Sequence, residues 1–215
     1  NREATYQKIA EVFNEWLVEG TKKDDLVVFY FSGHGSRVKD VNGDEEDGLD
    51  EVLLPYDMVP DGGYHILIDD ELGSWLSRLN GREVVAIADS CYSGGVARGI
   101  RGQTVSTLEE TPGRHSRFIP ITNYRPSPIA LSTPKGPDVP GSVIFMAASR
   151  EIESAQETNQ PGRFYGAFTF GLYEGMKSLK TVSYNNLFEY AKKVVTDRFQ
   201  LPQEPQIMAR EDMLA

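Results

Sequence analysis

The chain has 215 residues, enough to bury a full core in one domain, and a quarter of them are charged. Acidic residues outnumber basic ones 32 to 22, a net charge of -10 that disfavours nucleic acid as a partner and favours a basic protein segment. A single cysteine excludes an internal disulfide and no apolar run reaches membrane-span length, so the chain is expected to be soluble and cytoplasmic.

Ile9, Val12, Phe13, Trp16 and Leu17 recur at helical spacing and predict an amphipathic helix over residues 4 to 19, ended by Gly20. Val27 to Phe31 form a continuous apolar run of β-branched and aromatic residues, which predicts an inner strand of a parallel sheet, buried on both faces. Ser32-Gly33-His34-Gly35-Ser36 follows at the carboxyl edge of that strand, where open α/β folds carry their chemistry.

Residues 37 to 51, RVKDVNGDEEDGLDE, read as an acidic loop. Asp40, Asn42 and Asp44 alternate as in a calcium loop, but Glu45 stands where an EF-hand requires glycine, so that motif is not matched. A β-hairpin is predicted over residues 52 to 68 around Pro60-Asp61-Gly62-Gly63, and it returns Asp69 and Asp70 towards the acidic loop. Carboxylates that converge in this way repel unless a hard divalent cation joins them; a solvated charge run is the plainer alternative. Asp69 also reads as the cap of the helix DDELGSWLSRL, which crosses back to the next strand.

Val84 to Ala88 predict a second inner strand, and Asp89-Ser90-Cys91-Tyr92 follows it. Asp89 and Cys91 are two apart, so in extended backbone their side chains share one side of the sheet. A cysteine is commonly a small buried hydrophobe. Its polar neighbours, and the cost of burying Asp89 without a cation, point instead to a nucleophile with His34 as its base. His65 and His115 are weaker candidates for that base. Residues 96 to 142 show no sustained period and predict a long structureless linker. Val143 to Ala147 predict a third inner strand with Ser149 at its edge, followed by helices over 164 to 176 and 183 to 199 and a closing QEPQIM.

SGHG after one apolar strand, DGLDE with LLPYD behind it, and ADSCYSGG after a second strand are similar to the caspase-type cysteine peptidases. They resemble most the metacaspase branch, including its prokaryotic, orthocaspase-like members. SVIFMAASREIESAQE, GRFYGAFTFGLYEGM and PQEPQI resemble the small-subunit part of that family. The resemblance implies an α/β, caspase-like three-layer sandwich with a mainly parallel sheet flanked by helices. Residues 1 to 95 would be the large-subunit-like part, 96 to 142 an intersubunit-type linker and 143 to 215 the small-subunit-like part.

The resemblance also implies a cysteine endopeptidase, with His34 as base, Cys91 as nucleophile and the backbone NH groups of Gly35 and Cys91 holding the oxyanion. It sets Asp89 at the floor of a specificity pocket, with Ser32 beside it and Ser149 lining it, so that protein substrates are cut after Arg or Lys. Asp50, Asp69 and Asp70 match calcium positions of the family, while a further ligand position carries Arg98. Arg98, Arg101, Arg114, Arg117 and Arg125 are candidate self-cleavage points in the linker. The family places a strand, a helix and a second strand ahead of the helix that opens this chain, so an upstream fragment that completes the sheet is an expected partner. The alternatives are a caspase-like pseudo-enzyme, or a calcium-responsive scaffold that binds basic peptides without cutting them.

Overall fold

The computed structural model describes residues 1–43, 45, 47–92, 117–126, 142–150, 152–160 and 162–214. Its centre is a four-stranded sheet of β1 (Leu26–Ser32), β5 (Glu83–Asp89), β6 (Val143–Ala147) and β9 (Gln206–Met208), in that order. The first three strands run parallel and β9 is antiparallel to β6. The parallel strands are rich in Val, Ile, Phe and Ala, and alternate residues feed two separate cores.

On one face, Val27, Phe29, Val84, Ala86 and Phe145 pack with Phe13, Leu72 and Leu76. Those last three come from helix α1 (Tyr6–Val12) with its π-helical continuation Phe13–Val18, and from α2 (Asp69–Ser77). On the other face, Val85, Ile144 and Met146 meet Phe168, Leu172, Phe188 and Ala191. These belong to α3 (Ala167–Ser178) and α4 (Tyr184–Lys193), the latter opened by a capping box of Ser183 and Asn186. Helices therefore cover both faces of a mainly parallel sheet, the three-layer α/β sandwich expected from the sequence.

Beside this sandwich lies a three-stranded antiparallel sheet of β2 (His34–Lys39), β3 (Leu49–Leu54) and β4 (Leu67–Ile68). Val38, Val52, Leu54, Ile66 and Ile68 form its core, onto which Ile119, Ile121 and Tyr124 pack. A hairpin of β7 (Glu157–Gln160) and β8 (Arg163–Gly166) leads into α3.

Four expectations require correction. β1 is not an inner strand among the described residues: it ends the sheet, pairs with β5 alone, and exposes Leu26, Val28 and Tyr30 while Val27 and Phe29 are buried. Trp16 is 72% exposed, because the π-helical turn after Phe13 shifts the phase of the apolar stripe. The predicted acidic loop is shorter, since residues 34–39 pair with β3 as a strand. Asp69 is the first helical residue and not the cap of α2; Ile68 holds the cap position, and the Asp69 carboxylate accepts the Asp70 NH.

Among the described residues, no helix is long and apolar enough to cross a membrane.

Candidate active site

The two motifs meet at the carboxyl ends of β1 and β5. Ser32 lies in register with Asp89, and the Gly33 NH donates to the Asp89 carbonyl at 3.2 Å. His34 opens β2 and is exposed, whereas Cys91 is 1% exposed. Between them, Gly35 lies against the Cys91 backbone so closely that a Cβ there would stand 2.2 Å from the Cys91 carbonyl oxygen. Only glycine permits that approach, which is the physical meaning of the second glycine of SGHG.

Tyr92, directly after the cysteine, has φ 58°, in the left-handed region that non-glycine residues rarely adopt. Its NH is tied to the Glu153 carbonyl at 3.0 Å, and its ring packs under the Arg37 guanidinium at 4.5 Å. The chain thus turns abruptly after Cys91 and presents that residue to the segment opposite it.

That segment is part of the predicted linker. The Gly35 NH donates to the Arg117 carbonyl at 2.8 Å, and the Arg117 NH donates to the Ala155 carbonyl at 3.1 Å. The Cys91 Sγ is 3.7 Å from the same Ala155 oxygen. Arg117 therefore spans the cleft over Cys91 in extended form, with its carbonyl on a backbone NH of the glycine beside the cysteine.

Its side chain enters a buried anionic socket. Nη1 donates to the Ser32 hydroxyl at 2.8 Å and to the Asp89 carbonyl at 2.7 Å, and lies 3.4 Å from the Asp89 carboxylate. Nη2 donates to Glu157 at 3.3 Å. The other Asp89 oxygen accepts the NH and the hydroxyl of Thr169, in the first turn of α3, at 2.8 and 2.5 Å. Gly166 leaves room for this carboxylate, since a Cβ there would come 2.0 Å from it. A fully buried aspartate thus has its helix-terminal donors and a guanidinium to offset its burial.

Ser149, also buried, donates to the Ser90 carbonyl at 3.3 Å and so braces the strand end before Cys91. Downstream of Arg117, the Ile119 NH donates to the Gly35 carbonyl, and Phe118 meets the Tyr92 ring edge-on at 5.4 Å. Arg125 is exposed, with its NH on the Gly62 carbonyl. Arg98, Arg101, Arg114 and His115 lie outside the described residues. His65 is paired with Asp57 at 2.7 Å.

Carboxylates gather at a second place. Glu45, Glu51 and Asp69 present oxygens within 4.8 Å of one another, with Glu51 and Asp69 buried. Asp70 accepts the Asn42 amide at 2.6 Å, and Asp40 organises the loop by accepting the NH groups of Asn42, Gly43 and Glu45. Asp50 is also buried, but it alternates with Glu51 along β3 and so faces the opposite side of that sheet. All these donors are hard oxygens, the chemistry that suits calcium or magnesium.

Sequence reasoning did not assign Thr169, Gly166 or Glu157 to the socket. The sequence predicts a helix from residue 164, whereas residues 157–160 and 163–166 form the β7–β8 hairpin that carries Glu157 and Gly166 to the socket, and the helix starts at Ala167.

A three-layer sandwich with a cysteine and a histidine at adjoining strand ends, and an extended segment laid across them, has the architecture of a caspase-like α/β fold. Residues 1–98 match the family model "Metacaspase, peptidase C14 domain". The chain is 27% identical over 223 residues to Metacaspase-1 of Candida glabrata, covering 91% of this chain and 56% of that protein. Metacaspase-1 of Yarrowia lipolytica is 28% identical over 225 residues, covering 91% and 47%, and Metacaspase-3 of Arabidopsis thaliana is 48% identical over 83 residues, covering 38% and 22%. The chain is thus similar to the metacaspases, most strongly over residues 1–98, and it spans about half the length of the Candida glabrata and Yarrowia lipolytica relatives. Protein GSU0716 of Geobacter sulfurreducens has the same fold, with a TM-score of 0.61 at 23% identity, covering 98% of this chain and 76% of that one.

Proposed function

We propose that the chain is the catalytic part of a cysteine endopeptidase that cuts after Arg or Lys and first cuts itself between Arg117 and Phe118. The observation that carries this reading is the pose of Arg117: its carbonyl on the Gly35 NH, its NH on Ala155, its guanidinium in the socket of Asp89 and Ser32. That is how a substrate residue before a scissile bond must lie, with the reacting carbonyl polarised and the side chain read separately.

In this mechanism His34 takes the Cys91 thiol proton, and the sulfur attacks the Arg117 carbonyl carbon. The oxyanion that forms is held by the Gly35 NH and, as the family resemblance implies, by the Cys91 NH. Collapse breaks the Arg117–Phe118 amide, His34 delivers its proton to the departing Phe118 amine, and a thioester remains. Water, deprotonated by His34, then hydrolyses the thioester, which leaves an Arg117 carboxylate and restores the thiol. Until that cut, the docked segment fills the cleft.

Two further features belong to the reading. A hard divalent ion, calcium by the family resemblance, would be held by Glu45, Glu51 and Asp69 and would offset the charge of these gathered carboxylates. An upstream segment would pair with the outer edge of β1, whose exposed Leu26, Val28 and Tyr30 make it a poor natural boundary for a sheet.

The test is to express the wild type and Cys91→Ala side by side and sequence the amino ends of any fragments. The reading expects a fragment beginning at Phe118 in the wild type alone. The same fragment in both proteins, or none together with no hydrolysis of arginyl peptides, would overturn it.

A further inference from the structure

The socket that holds Arg117 has two carboxylates, not one, and they meet different nitrogens. Asp89 and Ser32 face Nη1 at the floor, and Glu157 faces Nη2 at 3.3 Å from the rim, with its side chain 30% exposed. The two acids are linked by structure: Glu157 pairs with Gly166 across the β7–β8 hairpin, and Gly166 is the residue that makes room for the Asp89 carboxylate. The hairpin thus sets Glu157 at a fixed height above Asp89.

We infer that Glu157 is a specificity-determining residue that selects arginine over lysine, an inference that rests on the reading of this socket as the substrate pocket. A guanidinium is a planar fork whose two terminal nitrogens can serve two acids at once. A lysine ammonium is a single point at the end of a shorter stem. Set against Ser32 and Asp89, it leaves the rim carboxylate unserved; raised to the rim, it leaves the buried one unserved. Asp89 therefore accounts for the demand for a basic residue, and Glu157 for the choice between the two. Glu157 is in plain contact with the bound side chain, so its effect is direct.

The experiment has a catalytic and a binding arm. Wild type, Glu157→Gln and Asp89→Asn are assayed on a matched pair of peptides ending in Arg or Lys before the reporter. Glu157→Gln is expected to lower kcat/KM for the arginyl peptide about tenfold, the scale of one charge-assisted contact at a partly exposed rim, and to leave the lysyl peptide within about twofold. Asp89→Asn is expected to lower both. Equal losses on the two peptides with Glu157→Gln, or no loss on either, overturn the inference.

The binding arm uses Cys91→Ala with Arg117→Ala, which opens the socket and removes turnover. The uncleaved arginyl and lysyl peptides are titrated onto it with and without Glu157→Gln. Preference for arginine that disappears with Glu157→Gln supports the inference even if no peptide is ever hydrolysed, in which case only the peptidase reading fails. Binding of neither peptide, or an undiminished preference, overturns it.

Discussion

The Arg117 guanidinium is held by both ends of Asp89, with Nη1 at 2.7 Å from its carbonyl and 3.4 Å from its carboxylate. Both side chains are buried, and breaking such a pair from one side costs about 3–5 kcal/mol because the remaining charge is left uncompensated. Asp89→Asn keeps the shape and removes the charge. Its expected result is a fall of roughly 10²–10⁴ in kcat/KM on arginyl peptides, the rate equivalent of that range, and release of the docked segment to added protease. Unchanged arginyl hydrolysis in a folded Asp89→Asn protein would show that the socket does not read the substrate.

Glycines at two contacts give a sharper test, because neither has an unusual φ and only the contact is changed. A Cβ at position 166 would stand 2.0 Å from the Asp89 carboxylate, and one at position 35 would stand 2.2 Å from the Cys91 carbonyl oxygen. Overpacking of this kind costs about 1–3 kcal/mol, or a Tm lower by roughly 2–12 °C for a chain of this size. Gly166→Ala is expected to raise KM for basic peptides by moving Asp89 off Thr169. Gly35→Ala is expected to lower kcat, since it shifts the NH that faces the reacting carbonyl. Steady-state kinetics beside thermal melts separates the two; an identical pattern for both variants would contradict the division of roles.

Much of this arrangement was legible in the chain, and the parts that were not have physical reasons. Continuous apolar runs at Val27–Phe31, Val84–Ala88 and Val143–Ala147 mark the three parallel strands; β5 and β6 feed the cores on both faces, whereas β1 buries only the face of Val27 and Phe29. His34 and Cys91 stand out because each follows such a run amid small polar residues. β2 was hidden, since HGSRVK carries no apolar alternation and pairs with β3 through backbone bonds that any sequence can make. The edge position of β1 was hidden too, because neighbours in a sheet are set by the whole chain and not by the strand. Glu157 reaches Arg117 across 40 positions and Thr169 reaches Asp89 across 80, beyond any local pattern. Arg117 was visible only as one basic residue among several in an aperiodic linker.

The carboxylates of Glu45, Glu51 and Asp69 provide a prediction about stability that is independent of turnover. An ion that binds only the folded state at a concentration a hundredfold above its Kd stabilises by about 2.7 kcal/mol, a Tm rise of roughly 5–11 °C. Calcium added to the metal-stripped protein is expected to raise Tm by that order, chelator to reverse it, and Glu51→Gln to abolish it. Magnesium is expected to do less, because it demands octahedral geometry and gives up its waters reluctantly. A melting curve indifferent to millimolar calcium would remove the metal from the reading.

Tyr124 provides a pH test of how the linker segment is held. It packs with Ile119 and Ile121 on the core of the antiparallel sheet, and burial, with the negative charges of Asp50 and Glu71, raises its phenol from 10.0 to about 12. The docked state therefore favours the protonated phenol. Its contribution to docking is fully present below the undocked value of 10.0 and is lost as pH rises through about 12. Between those values the segment is expected to loosen, read as faster proteolysis near Arg125 that parallels phenolate absorbance. Tyr124→Phe cannot ionise, so its docking is expected to persist across the same interval apart from the changes both proteins share. If wild type and Tyr124→Phe loosen identically, the segment is not held through this ring, and attachment at Arg117 alone must anchor it.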